Sequence, residues 1–400
     1  MKKKRTKRKL RLKKWGRLLL VFLVLVVLLI FSWDYVDSYL EDHQEEEVIE
    51  EEEKKPQHYV ASLFMVGDAL IHSTLYQDAK VGNGYDFKPM LELIKPISSS
   101  YNLVYYNQET ILGGTELGLS NYPRFNSPYE VGDAFLDAGF NLVSLATNHT
   151  MDKGEAGVLN SVNYWKNHPD IVTSGQWTSY EERYNSIDTI YEINGIKYAF
   201  ISYTTWTNGL ETPAGKEYLN NVYSDEKAEQ DIAHIKDRAD VIIVAMHWGT
   251  EYSLGVDYQQ EHIAQFLADQ GVQIIIGAHP HVVEPVEYLN DGKTFVIYSL
   301  GNFISDQAND MNNAKLTGLM MSLIIKKDVD VEDNVTISIV QPKAELIYTK
   351  SYYGGKRNFK VYPYPQLNDS LLPNYQSLYE RYKGVVSERY PELVWGLGGE

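Results

Sequence analysis

Val272-Gln273-Ile274-Ile275-Ile276-Gly277-Ala278-His279-Pro280-His281 carries a structural signal and a chemical one in ten consecutive positions. A β-branched run of this length, stopped by glycine, reads as a buried strand emptying into a loop. Two histidines at i and i+2 on extended backbone project to the same side, so both imidazoles can reach one site. Pro280 between them stiffens the loop and removes an N–H that would otherwise need a partner. Two loop histidines with no common task would look the same in isolation. Recurrence separates the readings, because four other apolar runs also end in a residue able to bind metal.

Working outward from that stretch, strand-like runs alternate with helical ones, the pattern of a layered α/β domain. Ala61 to Val66 ends in Gly67-Asp68, with His72 four residues after Asp68. Residues 86–97 read as helical, and the strand Leu103 to Tyr106 ends in Asn107-Gln108-Glu109. A helix over 129–138 leads to Asn141 to Ala146, which stops at Thr147-Asn148-His149-Thr150-Met151-Asp152. After a helix over 155–167, Val241 to Met246 ends in His247-Trp248-Gly249-Thr250-Glu251-Tyr252, and a helix over 258–270 feeds the strand before His279. In open α/β sheets, function collects in the loops past the carboxyl ends of the strands. Here those ends carry Asp68, Glu109, Asn148, His247 and the pair His279/His281.

Carboxylate, amide oxygen and imidazole without thiolate suit Mn, Fe or Zn better than Ca or a structural zinc cage. Six candidate ligands exceed one tetrahedral ion. They suit two divalent ions sharing a bridging carboxylate, an arrangement that activates water for displacement at phosphorus or a carbonyl. His149 adjoins Asn148, so one side chain of that turn can ligate while the other donates a proton. Taken singly, Asp and Asn also cap helices, and loop histidines are common. Glu251 and Tyr252 follow His247 closely enough to support a ligand or touch substrate; Asn302 either orients one of them or forms a turn with Gly301. Further on, Gly318 to Lys326 and Asn334 to Val340 alternate like paired strands, residues 350–366 are rich in Tyr, Gly and Pro, and a packing helix spans 372–388.

The amino-terminal end has a different character. Residues 1–17 hold eleven Lys and Arg and no acid, and Leu18 to Phe31 contains no polar side chain. That run is slightly short of the ~20 residues of a spanning helix, but Trp15, Trp33 and Tyr35 stand as interfacial aromatics and Arg17 can snorkel. A cleaved signal peptide is the competing reading, although Phe31-Ser32-Trp33-Asp34-Tyr35 is a poor cleavage site. An anchor with the basic block in the cytosol puts the rest outside the cell membrane. The net charge of −17 divides into +11 before Leu18 and −28 after it, which argues against nucleic acid as a partner. With no cysteine, the external part must rely on its core, which is compatible with a Gram-positive-like surface.

The ordered set Gly67-Asp68, Asn107-x-Glu109, Asn148-His149-x-x-Asp152, His247-Trp248-Gly249-x-Glu251-Tyr252, Gly277-x-His279-Pro280-His281 and Ser299-Leu300-Gly301-Asn302-Phe303 resembles the CapA-type capsule synthesis proteins. These form the poly-γ-glutamate biosynthesis accessory family, related to calcineurin-like metallophosphoesterases. The resemblance covers residues 60–305. It implies an α/β fold, a four-layer αββα sandwich, with a dinuclear-type site. By position, Asp68, Glu109 and His281 would serve one metal, and Glu109, Asn148, His247 and His279 the other. His149 would be the proton donor, with His72, Asp152, Glu251, Tyr252 and Asn302 as further ligands or supports. The wider phosphoesterase pattern has a histidine where this chain has Leu70, for which His72 is the candidate substitute, and Glu109 stands where a bridging Asp is usual.

These readings divide the chain into a basic cytosolic segment (1–17), a transmembrane anchor (18–33), an acidic extracellular stalk (34–58), the CapA-type domain (59–345) and a C-terminal extension packed on it (346–400). The expected function is synthesis, export or attachment of an anionic capsule or cell-wall polymer, with other subunits of a membrane synthesis and export complex as partners. A scaffold subunit without chemistry and a general surface phosphoesterase are the alternatives.

Overall fold

A computed structural model of the chain describes residues 6–42, 54–307, 312–352 and 357–397. It divides into two compact units, Met1–Lys55 and Pro56–Glu400. The first contains helix α1 (Thr6–Glu41), whose apolar side chains from Leu18 to Phe31 are almost all exposed. It is long and apolar enough to cross a membrane. The helix continues past residue 33 into the first part of the expected stalk, and stalk residues 43–53 lie outside the described ones.

The second unit begins with β1 (Gln57–Ala69), α2 (Ser73–Asp78) and a hairpin of β2 (Lys80–Val81) and β3 (Gly84–Tyr85). Two short helices, α3 (Lys88–Leu91) and α4 (Lys95–Ser98), precede β4 (Leu103–Asn107). Next come α5 (Glu130–Asp137), β5 (Leu142–Ser144), α6 (Gly154–Lys166), β6 (Val172–Ser174) and α7 (Tyr180–Ile187). β7 (Tyr191–Ile193), β8 (Ile196–Thr204), α8 (Asp225–Ile235), β9 (Val241–His247), α9 (Tyr258–Asp269) and β10 (Ile274–Ala278) follow. The chain ends with β11 (Val286–Leu289), β12 (Thr294–Ile297), β13 (Asn302–Ile304), β14 (Thr317–Val329), β15 (Val335–Tyr352), β16 (Arg357–Pro363), α10 (Tyr375–Val386) and β17 (Val394–Trp395). The single helix expected over 86–97 is broken in two. Pro96 lacks an N–H and its ring would clash with the carbonyl four residues back, so a helix from Lys88 cannot pass it.

Among the described residues the strands form a nine-stranded and a six-stranded sheet. The larger runs β16-β15-β14-β1-β4-β5-β6, with β13 beside β1 and β17 beside β15; the smaller runs β11-β12-β10-β9-β8-β7. Alternation along β1 explains the layers. Ala61, Leu63 and Met65 face Phe200, Ile243 and Ile276 of the other sheet, while Phe64 and Val66 face Leu91, Phe135 and Trp165 of the helical side. On the opposite side Ile201, Val244 and Ile275 meet Ile187, Ile232 and Leu267 of α7, α8 and α9. The result is a four-layer αββα sandwich. Strands buried on both faces give continuous apolar runs, which is why β9 and β10 read so plainly in the sequence.

The Tyr-, Gly- and Pro-rich stretch after 350 contributes β16, paired with β15, and β15 itself runs unbroken through residues 345 and 346. Residues beyond 345 thus complete the first sheet, and α10 sends Tyr382 and Val386 into the core shared with it. At the carboxyl ends of the parallel strands, the segment after β12 bridges both sheets. Leu300 N–H donates to Gly277 O at 3.1 Å, and Asp68 N–H donates to Gly301 O at 3.0 Å. Only glycine permits these approaches: a Cβ on Gly67 would fall onto Gly301 O, and one on Gly277 onto Tyr298 O.

Candidate metal centre

A bulge aims the first carboxylate. Met65 pairs with Tyr105 but Asp68 with Asn107, so β1 carries one residue more than β4 between those points, which re-aims Asp68 at the strand end. Asp68 then lies in register between Asn107 and Asn302. Asn107 Nδ2 donates to Asp68 Oδ1 at 2.8 Å, and the His279 backbone N–H donates to Oδ2 at 3.3 Å. Asn107 Nδ2 also approaches His247 Nδ1 at 3.3 Å, steadying that ring from behind.

The histidine loop departs from the expected geometry. His279 and His281 are not extended; their φ values are 99° and 62°, in the left-handed half of the map. Both imidazoles still reach one site, with ring centroids 5.8 Å apart, but kinks at both residues bring them there rather than strand alternation.

The structure brings together all six expected ligands. Donor atoms of Asp68, Glu109 and His281 lie within 4.8 Å of one another, as do those of Glu109, His247 and His279. A third such group joins the exposed Glu251 to His279 and His281. Asn148 Oδ1 is 2.9 Å from His247 Nε2, which is 3.2 Å from His279 Nδ1 and 3.9 Å from Glu109 Oε1. Glu109 Oε1 is also 3.7 Å from His281 Nε2, so Glu109 stands between the two groups. Asn148 Nδ2 donates to Asn208 Oδ1 at 3.3 Å, which keeps the amide oxygen turned toward His247.

The donor set fits divalent cations. Glu109 is fully buried and neither carboxylate oxygen has a hydrogen-bond partner, an expensive arrangement for an anion unless a cation joins it. Burial pushes the Glu109 carboxyl well above its usual range, with His281 opposing and Asp68 adding to the rise. Burial, then His279 and His281, hold His247 far below the ordinary histidine value; burial and His281 bring His279 down to about 3. Both rings are therefore neutral and offer lone pairs. His281 is the exception: burial pulls its pKa down, but Glu109 and Asp68 raise it to about 9.

His149 belongs to none of these groups. Its Nδ1 is 2.7 Å from Asp152 Oδ2, which also accepts the Phe125 N–H at 2.5 Å, and its ring meets Phe125 edge-on at 4.8 Å. A 3.5 Å approach of Asn208 Nδ2 to the same nitrogen is too long to compete. His72 is likewise outside the groups; its Nδ1 is 3.1 Å from Leu70 O and 3.2 Å from Asp306 N. Among the described residues Asn302 makes no direct hydrogen bond to Glu251 or Tyr252; its Oδ1 lies 3.1 Å from His281 Nδ1. Glu251, Trp206 and His279 line an open cavity of about 340 Å³. The Tyr252 ring lies 5.9 Å from that of His281. Sequence reasoning passed over Asn107 and Asn208 as supports. Asn107 had a signal, two residues before Glu109 at a strand end; Asn208, in a loop between β8 and α8, had none.

Residues 62–307 match the family model described as bacterial capsule synthesis protein PGA_cap. The chain is 34% identical over 173 residues to "PGA biosynthesis protein CapA" of Bacillus subtilis (strain 168), covering 43% of this chain and 44% of that protein. It is 26% identical over 258 residues to "Capsule biosynthesis protein CapA" of Bacillus anthracis, covering 62% of this chain and 60% of that one. The chain thus spans about half the length of the curated relatives it matches. Among solved structures, a phosphatase from Mycoplasma pneumoniae aligns at 15% identity over 71% of this chain and 94% of its own, with a TM-score of 0.42. The calcineurin-like phosphoesterase YfkN of Bacillus subtilis aligns at 16% identity over 71% and 91%, with a TM-score of 0.39.

Proposed function

The chain belongs to the bacterial capsule synthesis protein PGA_cap family, and from that premise we propose that it performs metal-dependent hydrolysis or transfer on an anionic capsule polymer at the outer face of the cell membrane. Poly-γ-glutamate is the polymer favoured, because one relative carries the name PGA biosynthesis protein. In this reading α1 is a single-pass anchor with its basic end in the cytosol, and the second unit works outside alongside other subunits of a polymer synthesis and export complex.

One observation carries the reading: the fully buried carboxylate of Glu109, without a hydrogen-bond partner, between two groups of ligand atoms and near a histidine–aspartate pair outside those groups. Asp68, Glu109 and His281 would hold one ion and Glu109, Asn148, His247 and His279 the other; bound there, such ions polarise an acyl or phosphoryl group and lower the pKa of water. The chain's own residues supply the rest. Asp152 accepts from His149 Nδ1, which stabilises the imidazolium and leaves Nε2 as the atom that gives a proton to the leaving group. Phe125 packs edge-on against the same ring and fixes its plane.

A binding subunit without chemistry is the second reading. Leu70 favours it, being buried and offering no donor, while His72 is turned to backbone atoms instead of to the cluster. His149→Ala decides between the two. If chemistry occurs, the purified full chain keeps its metal content, yet cells lose surface polymer as completely as with His279→Ala; loss of a general acid costs about 10²–10⁴ in rate. Normal polymer in His149→Ala cells, with none in His279→Ala cells, would leave only recognition.

A further inference from the structure

Beside the His281 end of the centre stands a cation that none of these roles uses. Tyr252 adopts a left-handed conformation (φ 66°), and its N–H donates to Pro280 O at 2.8 Å, tying the turn after β9 to the histidine loop. The Lys315 ammonium lies 5.0 Å from the centroid of that tyrosine ring, so steps of 5.9 and 5.0 Å lead from the His281 ring through Tyr252 to the charge. The Lys315 backbone is fixed to the same place: its carbonyl accepts from Asn302 Nδ2 at 2.8 Å, and Asn302 Oδ1 faces His281. Gln307 closes the ring of contacts, accepting from Asn302 Nδ2 at 2.9 Å and reaching Tyr252 Oη at 3.4 Å.

Lys216, Lys327 and Lys360 each pair with a carboxylate, Glu155, Asp240 and Glu92 respectively. Lys315 does not; among the described residues no carboxylate is in ion-pair contact with it, and its contact is the tyrosine face. It sits in a part of the chain with a net charge of −28, where carboxylates are abundant. Charges further off than a Debye length of about 8 Å are largely screened, so a polyanion arriving at this end of the centre responds mainly to the groups around it. A lysine suits that task better than arginine where the arriving group presents a single oxygen at varying angle, since the ammonium is a compact point charge with rotatable donors.

We propose that Lys315 is the substrate anchor of the centre, its ammonium steadied over Tyr252 and binding a side-chain carboxylate of the polymer close to the unit that reacts. The inference rests on the proposed polymer substrate and names the residue that recognises its repeating charge. As a mere packing partner of Tyr252, Lys315 would have no bearing on ligand charge or salt.

The test uses the full chain in detergent, loaded with Mn, and fluorescence anisotropy of labelled poly-γ-glutamate and glycerol-phosphate oligomers over a series of salt concentrations. Lys315→Met should weaken the glutamate oligomer about ten-fold and flatten the salt dependence, while Lys315→Arg recovers most of both. Metal content and unfolding midpoint stay at wild-type values in the two variants, which excludes a folding defect. Glutamate-oligomer binding that is equal in wild type and Lys315→Met, with equal salt slopes, overturns the anchor and leaves the polymer reading standing. A wild type that binds only the glycerol-phosphate oligomer, or neither, overturns the polymer reading and the anchor with it.

Discussion

Replacing Glu109 by glutamine reverses its meaning for stability between the metal-free and metal-loaded protein. Without metal, wild type buries a carboxylate whose oxygens have no hydrogen-bond partner. Burial holds that carboxyl well above its usual range, a buried group left without partners costs about 1–3 kcal/mol, and His281, 3.7 Å away, offsets part of that. Glutamine keeps the shape and cannot carry the charge. The variant should therefore be more stable than wild type in chelator by about 1–3 kcal/mol. For the unit Pro56–Glu400, with an unfolding entropy of about 0.7 kcal/mol/K, that is a rise of about 1–4 °C in Tm. With Mn the order inverts. Wild type gains about 2.7 kcal/mol when free metal is a hundred times its Kd, and the variant, lacking the shared carboxylate, gains little. Thermal unfolding of the full chain in detergent, followed by tryptophan fluorescence with chelator and with Mn, reads both signs. A variant less stable than wild type in chelator, or one with an undiminished Mn shift, would refute Glu109 as a charge held for cations.

Two further outcomes follow from other parts of the molecule. Burial raises the Glu284 carboxyl to about 8 from 4.5, so between those values the folded chain holds a proton that the unfolded chain has released, and stability falls as pH climbs through the window. Glu284→Gln, which keeps the contact to Gln260, should remove that part of the fall; parallel urea midpoints for variant and wild type from about pH 6 to 9 would contradict it. For topology, external protease on intact cells should digest the second unit while a tag placed before Lys2 survives; a protected second unit would reverse the orientation drawn from the basic block.

The parts of the fold that could be read from the chain are those where burial left one pattern. β1, β9 and β10 lie between a helical layer and the facing sheet, so nearly every side chain is apolar and the run ends where the backbone leaves the sandwich. β16 could not be read this way. Its residues alternate between buried Phe359, Val361 and Pro363 and more exposed Asn358, Lys360 and Tyr362, and its tyrosine- and proline-rich surroundings resemble loop composition. β8 is similarly obscured by Tyr198, Ser202 and Thr204, whose polar atoms find partners only once the fold exists: Ser202 Oγ donates to Ser174 O at 2.6 Å, on the neighbouring sheet.

For the site, which residues converge was legible and their conformation was not. Strand ends gave the candidate ligand types, because an apolar run that stops at Asp, Asn or His marks where a strand meets the loops that carry chemistry. What the spacing could not show is the backbone of His279, Pro280 and His281. Extended geometry would suffice to converge the two rings, yet the chain instead accepts left-handed φ values at both histidines and at Tyr252. Such conformations cost on the order of 1–3 kcal/mol each for residues other than glycine, and persist only where the surroundings over-determine them. Here they are over-determined: the His279 N–H is held by Asp68, Pro280 O by Tyr252 N–H, and the His281 ring by Asn302. Glycine would relieve the strain at position 279 or 281 but would remove an imidazole. The strained loop therefore ties backbone and ligand together, and a cation bound by the two rings would offset the cost of the fold that presents them.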